Sequence, residues 1–112
     1  MKLKNYWVSN MYKIQLSPMA KDDLLNQKKY LIEEFDEYTA NEMVQKMTES
    51  LRNIEEYPLL GRPLTNLINI PTEYMYYIAD KNYVFYRIEG RSIKIIRILS
   101  TRLDFVQLLF NV

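Results

Sequence analysis

Three runs near the end of the chain decide how it folds: Tyr74-Met75-Tyr76-Tyr77-Ile78-Ala79, Asn82-Tyr83-Val84-Phe85-Tyr86-Arg87-Ile88-Glu89 and Ser92-Ile93-Lys94-Ile95-Ile96-Arg97-Ile98-Leu99. Each is dense in aromatic and β-branched residues, which suit the pleated surface of a sheet. The breaks between them, Asp80-Lys81 and Gly90-Arg91, have the two-residue length of a tight hairpin. Three consecutive antiparallel strands are expected. Along the middle run one face carries Tyr83, Phe85 and Arg87 and the other Val84, Tyr86 and Ile88, so neither is plainly polar. Packed sheet tyrosines and a binding surface both answer to that pattern.

Working back toward the N-terminus, the stretch from Pro58 to Pro71 holds three of the four prolines and one of the two glycines, which reads as an irregular connection. Before it, Ala40, Met43, Val44, Met47, Leu51 and Ile54 form an apolar stripe of helical period, with Thr39-Ala40-Asn41-Glu42 as a capping box at its start. The methionines of this helix read as core filler. An earlier helix is announced by Ser17-Pro18, a capping hydroxyl before a proline at the first helical position, with Asp22 and Asp23 near the positive end of the dipole. Ala20, Leu24, Leu31 and Phe35 make its stripe, and the acidic run Glu33, Glu34, Asp36, Glu37 opposes the dipole and ends it near Asp36. Tyr12 to Leu16 alternates as a half-buried strand. Residues 1–10 show no period and read as a tail, with Met11 an alternative start. The expected fold class is α+β in the order β-α-α-β-β-β, a helical hairpin packed on one face of a small, mainly antiparallel sheet. Residues 11–112 form a single domain in this reading, and Asp104 to Phe110 closes the core as a short helix or strand.

Composition narrows the chemistry. There is no cysteine, hence no disulfide, and no apolar run of the roughly 18 residues that a membrane span requires, so the default location is the cytoplasm. There is no histidine either, which removes histidine triads and the usual zinc site; no metal and no cofactor are expected. Acid–base work would fall to carboxylates, Lys, Tyr or the substrate itself. Residues 1–57 hold eight Lys/Arg and ten Asp/Glu, a charge of −2, whereas residues 58–112 hold seven and four, a charge of +3. The cations of the second half are mostly arginine (Arg62, Arg87, Arg91, Arg97, Arg102), whose planar fork suits phosphate and carboxylate partners. A solvated sheet edge with scattered charges is the plain alternative.

Pro58-Leu59-Leu60-Gly61-Arg62-Pro63-Leu64, Asn82 to Ile88 and the run from Ile93 to Asp104 together resemble the RelE/ParE superfamily of toxins from type II toxin–antitoxin modules, as does the opening Tyr12 to Ala20. The resemblance implies a growth-inhibiting toxin whose exposed face is masked by a cognate antitoxin. It also implies one of two targets: DNA gyrase, bound and poisoned, or the ribosome, where relatives cut mRNA through attack of a 2′-hydroxyl on the adjacent phosphate. Long paired helices favour the gyrase type; a relative that has lost activity and binds only its antitoxin is a third possibility. Met75 and Ser100 depart from the RNA-cutting pattern, standing where many relatives carry arginine and histidine. For an RNA cutter the catalytic candidates are Tyr86, Arg87, Lys94, Arg97 and Arg102. Target or phosphate binding would fall to Arg62, Arg87, Arg97 and Arg102. The structural alternatives are a salt bridge from Arg102 to Asp104 and hydrogen bonds from Arg62 to loop carbonyls.

Overall fold

A computed structural model describes residues 11–110; the tail expected over 1–10 lies outside the described residues. The elements are β1 (Lys13–Leu16), α1 (Pro18–Glu34), α2 (Glu37–Glu56), β2 (Arg62–Pro63), α3 (Thr65–Ile68), β3 (Met75–Ala79), β4 (Asn82–Glu89), β5 (Ser92–Ser100) and α4 (Phe105–Phe110). They build a five-stranded sheet of order β1-β5-β4-β3-β2. The pairs are antiparallel except β1 with β5, and the helical hairpin carries the chain from β1 at one edge of the sheet to β2 at the other. The α+β reading holds, with one strand and one short helix, β2 and α3, more than the pattern disclosed, and the closing segment is a helix, α4.

Local chemistry explains most boundaries. Ser17 caps α1 by accepting from Ala20 N at 3.0 Å, and Pro18 opens the first turn. The helix closes at Glu34, and Phe35, outside it and 65% exposed, does not join the buried stripe assigned to it. The capping box at Thr39 is not used. Asp36, in extended conformation, caps α2 three residues earlier by accepting from Thr39 N at 2.7 Å. With only Phe35 and Asp36 between the helices, Asp36 is the first side chain free to turn back on the orphan N–H groups. The hairpins Asp80-Lys81 and Gly90-Arg91 each begin at positive φ, 57° and 59°, as tight strand reversals require. The proline-rich connection is less irregular than expected: Arg62 and Pro63 form a short edge strand, where a missing N–H costs nothing, and α3 follows.

Two cores result. Between helices and sheet lie Ala20, Met47, Ile54, Val84, Tyr86, Ile93, Ile95 and Ile98, flanked by Ile14, Leu16 and Leu51. Each large side chain fully buried there contributes on the order of 1.5–3 kcal/mol. On the opposite face Leu64, Phe85 and Leu99 are sealed by Ile68 of α3 and by Phe105, Leu109 and Phe110 of α4. That face, expected to stand uncovered, is therefore bare only in part. The C-terminal segment supplies the cover, and the ring of Phe105 lies 5.1 Å from Tyr83 and 5.2 Å from Phe85.

Candidate functional site

The register assigns each candidate a face. Ile93 and Ile95 point into the helix-side core, as do Tyr86 and Ile88, so Lys94 and Arg87, paired across β4 and β5, stand on the opposite face. Beyond them the ladder slips: Tyr86 faces Ile95, but Phe85 faces Arg97, leaving Ile96 as the extra residue of a β-bulge. The bulge reverses the alternation, so that Ile98 enters the core and Arg97 leaves it. Strict period-2 reading would have aimed Arg97 inward; the double Ile95-Ile96 was the signal of the slip.

Arg97 is nonetheless occupied. Its Nε and Nη2 donate to the two carboxylate oxygens of Asp23, both at 2.8 Å, and the side chains are 12% and 11% exposed. Asp23 also accepts from Ile98 N at 3.0 Å, and Arg97 Nη1 donates to Leu108 O at 3.3 Å. One guanidinium thus ties α1 on one side of the sheet to α4 on the other. The hydrogen bonds that Arg97 donates to Asp23 raise the Arg97 pKa further, against a smaller opposing effect of burial, so its charge is permanent. Asp23, read in the sequence only as a dipole partner, is the anchor that sequence reasoning missed.

Tyr86 is fully buried. Its hydroxyl donates to Pro58 O at 2.8 Å and accepts from Gly61 N at 2.9 Å, pinning the connection after α2. Burial pushes the phenol pKa up, and the bond from Gly61 only partly offsets it. Gly61 is required by space: a Cβ there would sit 2.5 Å from the Tyr86 hydroxyl and 2.6 Å from Tyr76 O.

The remaining cations are dispersed. Arg87 lies against the Glu89 carboxylate in a charge contact that is not an aligned hydrogen bond. Lys94 Nζ donates to Gln15 Oε1 of β1. Arg62 and Arg102 are exposed, and neither carries an ion pair among the described residues; the bridge considered between Arg102 and Asp104 is not formed. Arg62 and Arg97 sit at opposite ends of the row Arg62, Tyr76, Phe85, Arg97, about 14 Å apart at the usual strand spacing. Of the six sequence candidates, only Arg87 and Lys94 are brought together. Around Arg62 an open groove of about 370 Å³ is lined by Leu60, Gly61, Tyr76, Tyr77 and Ile78. Among the described residues no cluster of three or more acidic side chains is placed to hold a metal, and no helix is long and apolar enough to cross a membrane.

This arrangement of helical hairpin and sheet recurs in a solved structure, described as the chromosomal ParDE TA system from P. aeruginosa. The match has a TM-score of 0.68 and 17% identity, covering 80% of this chain and 96% of that one. The architecture is therefore RelE/ParE-like. The sequence itself matches the family model for the ParE toxin of type II toxin–antitoxin system, parDE, over residues 14–105, and the chain belongs to that family. No curated protein matches it.

Proposed function

We propose that residues 11–112 act as the toxin domain of a type II toxin–antitoxin pair, that the toxin inhibits growth by binding and poisoning DNA gyrase, and that a cognate antitoxin neutralises it. The observation that carries the choice of target is the state of the proton-transfer candidates. Cutting RNA needs a base for the 2′-hydroxyl, an acid for the leaving oxygen and cations around one phosphate. The Tyr86 hydroxyl is sealed inside and engaged twice, Arg97 is committed to Asp23, and an arginine stays protonated near neutrality. That leaves Lys94 and Arg87 without a partner to complete such a site, which supports binding over catalysis. Arg62 and Arg102, exposed and unpaired among the described residues, are then the first candidates for contacts with gyrase. Exposed apolar side chains at Leu25, Ile32, Phe35 and Tyr38, and again at Tyr57, Leu59, Leu60 and Ile78, offer a protein partner such as the antitoxin the desolvated contacts that association requires. Gyrase works in the cytoplasm, and the proposal places the toxin there.

Expression of the chain should arrest growth, and co-expression of the small reading frame beside its gene should restore it. In parallel assays the purified protein should accumulate gyrase-dependent DNA breaks and leave ribosome-bound mRNA intact. Ribosome-dependent mRNA cleavage with gyrase unaffected would reverse the choice of target.

A further inference from the structure

The part of the second sheet face that α3 and α4 leave bare has a chemistry of its own. Register aligns Lys13, Ser92 and Glu89 in one row across β1, β5 and β4, and Gln15, Lys94 and Arg87 in the next. The helix-side core takes Ile14, Ile93 and Ile88 from between these rows, so all six side chains share the opposite face. Arg91, exposed at the adjoining turn, is held beside Lys13 by the bond from Lys13 N to Arg91 O at 2.9 Å. Four cations stand here against Glu89 on the face and Glu55 at the β1 edge, whose carboxylate accepts from Ile14 N at 3.0 Å, and of the four only Arg87 is ion-paired among the described residues.

We infer that this bare half of the sheet, Lys13, Arg87, Arg91 and Lys94, binds the phosphate backbone of duplex DNA. The inference rests on the gyrase reading, because gyrase presents its inhibitor with DNA as well as protein. Two features distinguish a nucleic-acid surface from a protein contact. No large apolar side chain lies on either row, whereas protein interfaces centre on apolar and aromatic anchors and DNA interfaces are polar and positive. The rows are two residues apart along the strands, about 6.7 Å, close to the separation of successive phosphates on one DNA strand. Apart from Met11, just before β1, the exposed large apolar side chains among the described residues lie away from these two rows, on α1, at the turn into α2, in the Tyr57 to Leu60 loop, at Leu67 and Ile70, on Ile78, and at Leu103 and Leu108, so protein and DNA contacts need not compete for one surface.

The test is titration of the full chain into a labelled 20-base-pair duplex at increasing KCl. Phosphate contacts by the three cations that carry no ion pair, Lys13, Arg91 and Lys94, predict a slope of log K against log salt of about −2.7, and hence a loss of about fortyfold in affinity between 50 and 200 mM. The triple reversal K13E/R91E/K94E should abolish binding. A charge-matched reversal on α1, K21E/K28E/K29E, away from the two rows, should retain it, with both variants checked for unchanged melting. Equal loss in the two variants would mean that only net charge matters and would overturn the site. So would preference for single-stranded RNA, or loss of antitoxin capture in the first variant with duplex binding intact. A wild-type chain that leaves gyrase untouched sinks the target reading alone, since the duplex titration is scored separately.

Discussion

Arg97 and Tyr86 are polar side chains set among apolar neighbours, and truncating each leaves a different debt. Arg97→Ala strands the Asp23 carboxylate at 11% exposure with only Ile98 N to satisfy it. Breaking a largely buried pair from one side costs about 3–5 kcal/mol, so urea denaturation should show a loss near the lower bound. Arg97→Lys should recover little, because an ammonium cannot span both carboxylate oxygens. Tyr86→Phe removes a hydroxyl that serves both Pro58 O and Gly61 N, at a cost of about 1–3 kcal/mol for the groups left unpaired. If the phenol has no part in chemistry, this variant arrests growth as wild type does at equal soluble expression; abolished arrest would return Tyr86 to the catalytic candidates. Residue types alone nominated both side chains, but neither occupation was legible. Asp23 lies 74 positions from Arg97, and Pro58 lies 28 from Tyr86, beyond the reach of any local pattern.

At the scale of elements, neighbours along the chain carry the information, and the reading succeeded in proportion. Both hairpins, the cap at Ser17, the α2 stripe and the strand Asn82–Glu89 were all visible as short-range spacing. The start of α2 was displaced because two capping signals compete there, and the earlier one wins once α1 has closed. Asp36 is held below its ordinary value of 3.8 by the Thr39 backbone N–H and then by the Thr39 hydroxyl. The folded chain therefore prefers the carboxylate: its stabilisation is complete above the ordinary value and fades as pH falls through the lowered one. Asp36→Ala should lower the melting temperature at pH 7 more than Thr39→Ala does, and the gap between Asp36→Ala and wild type should shrink on acidification below that window. A larger effect from Thr39→Ala would restore the capping box. Asp36→Asn, which keeps an accepting oxygen, should retain most of the stability and lose the pH dependence.

Considered as a whole, the molecule is a sheet covered completely on one face and half covered on the other. α4 supplies part of the second cover through Phe105, Leu109 and Phe110. Phe105→Ala should cost about 2 kcal/mol in thermal or urea unfolding, less than a fully buried phenylalanine because its ring is only partly enclosed. It should also raise binding of an apolar dye by baring Tyr83 and Phe85. An unchanged melting curve would show that α4 merely rests on the sheet. By itself the sequence determined the α+β class, the order of the major elements, the cap at Ser17, the lengths of the hairpins and the net positive, arginine-rich charge of the second half. Those properties follow from residues within a few positions of one another. Only the tertiary structure decided which of those cations are free, that the Ile96 bulge turns Arg97 outward into the grip of Asp23, and how much of the far face stays bare. Each of these depends on groups that meet only when distant segments pack, and burial and ion pairing are properties of that meeting rather than of any residue type.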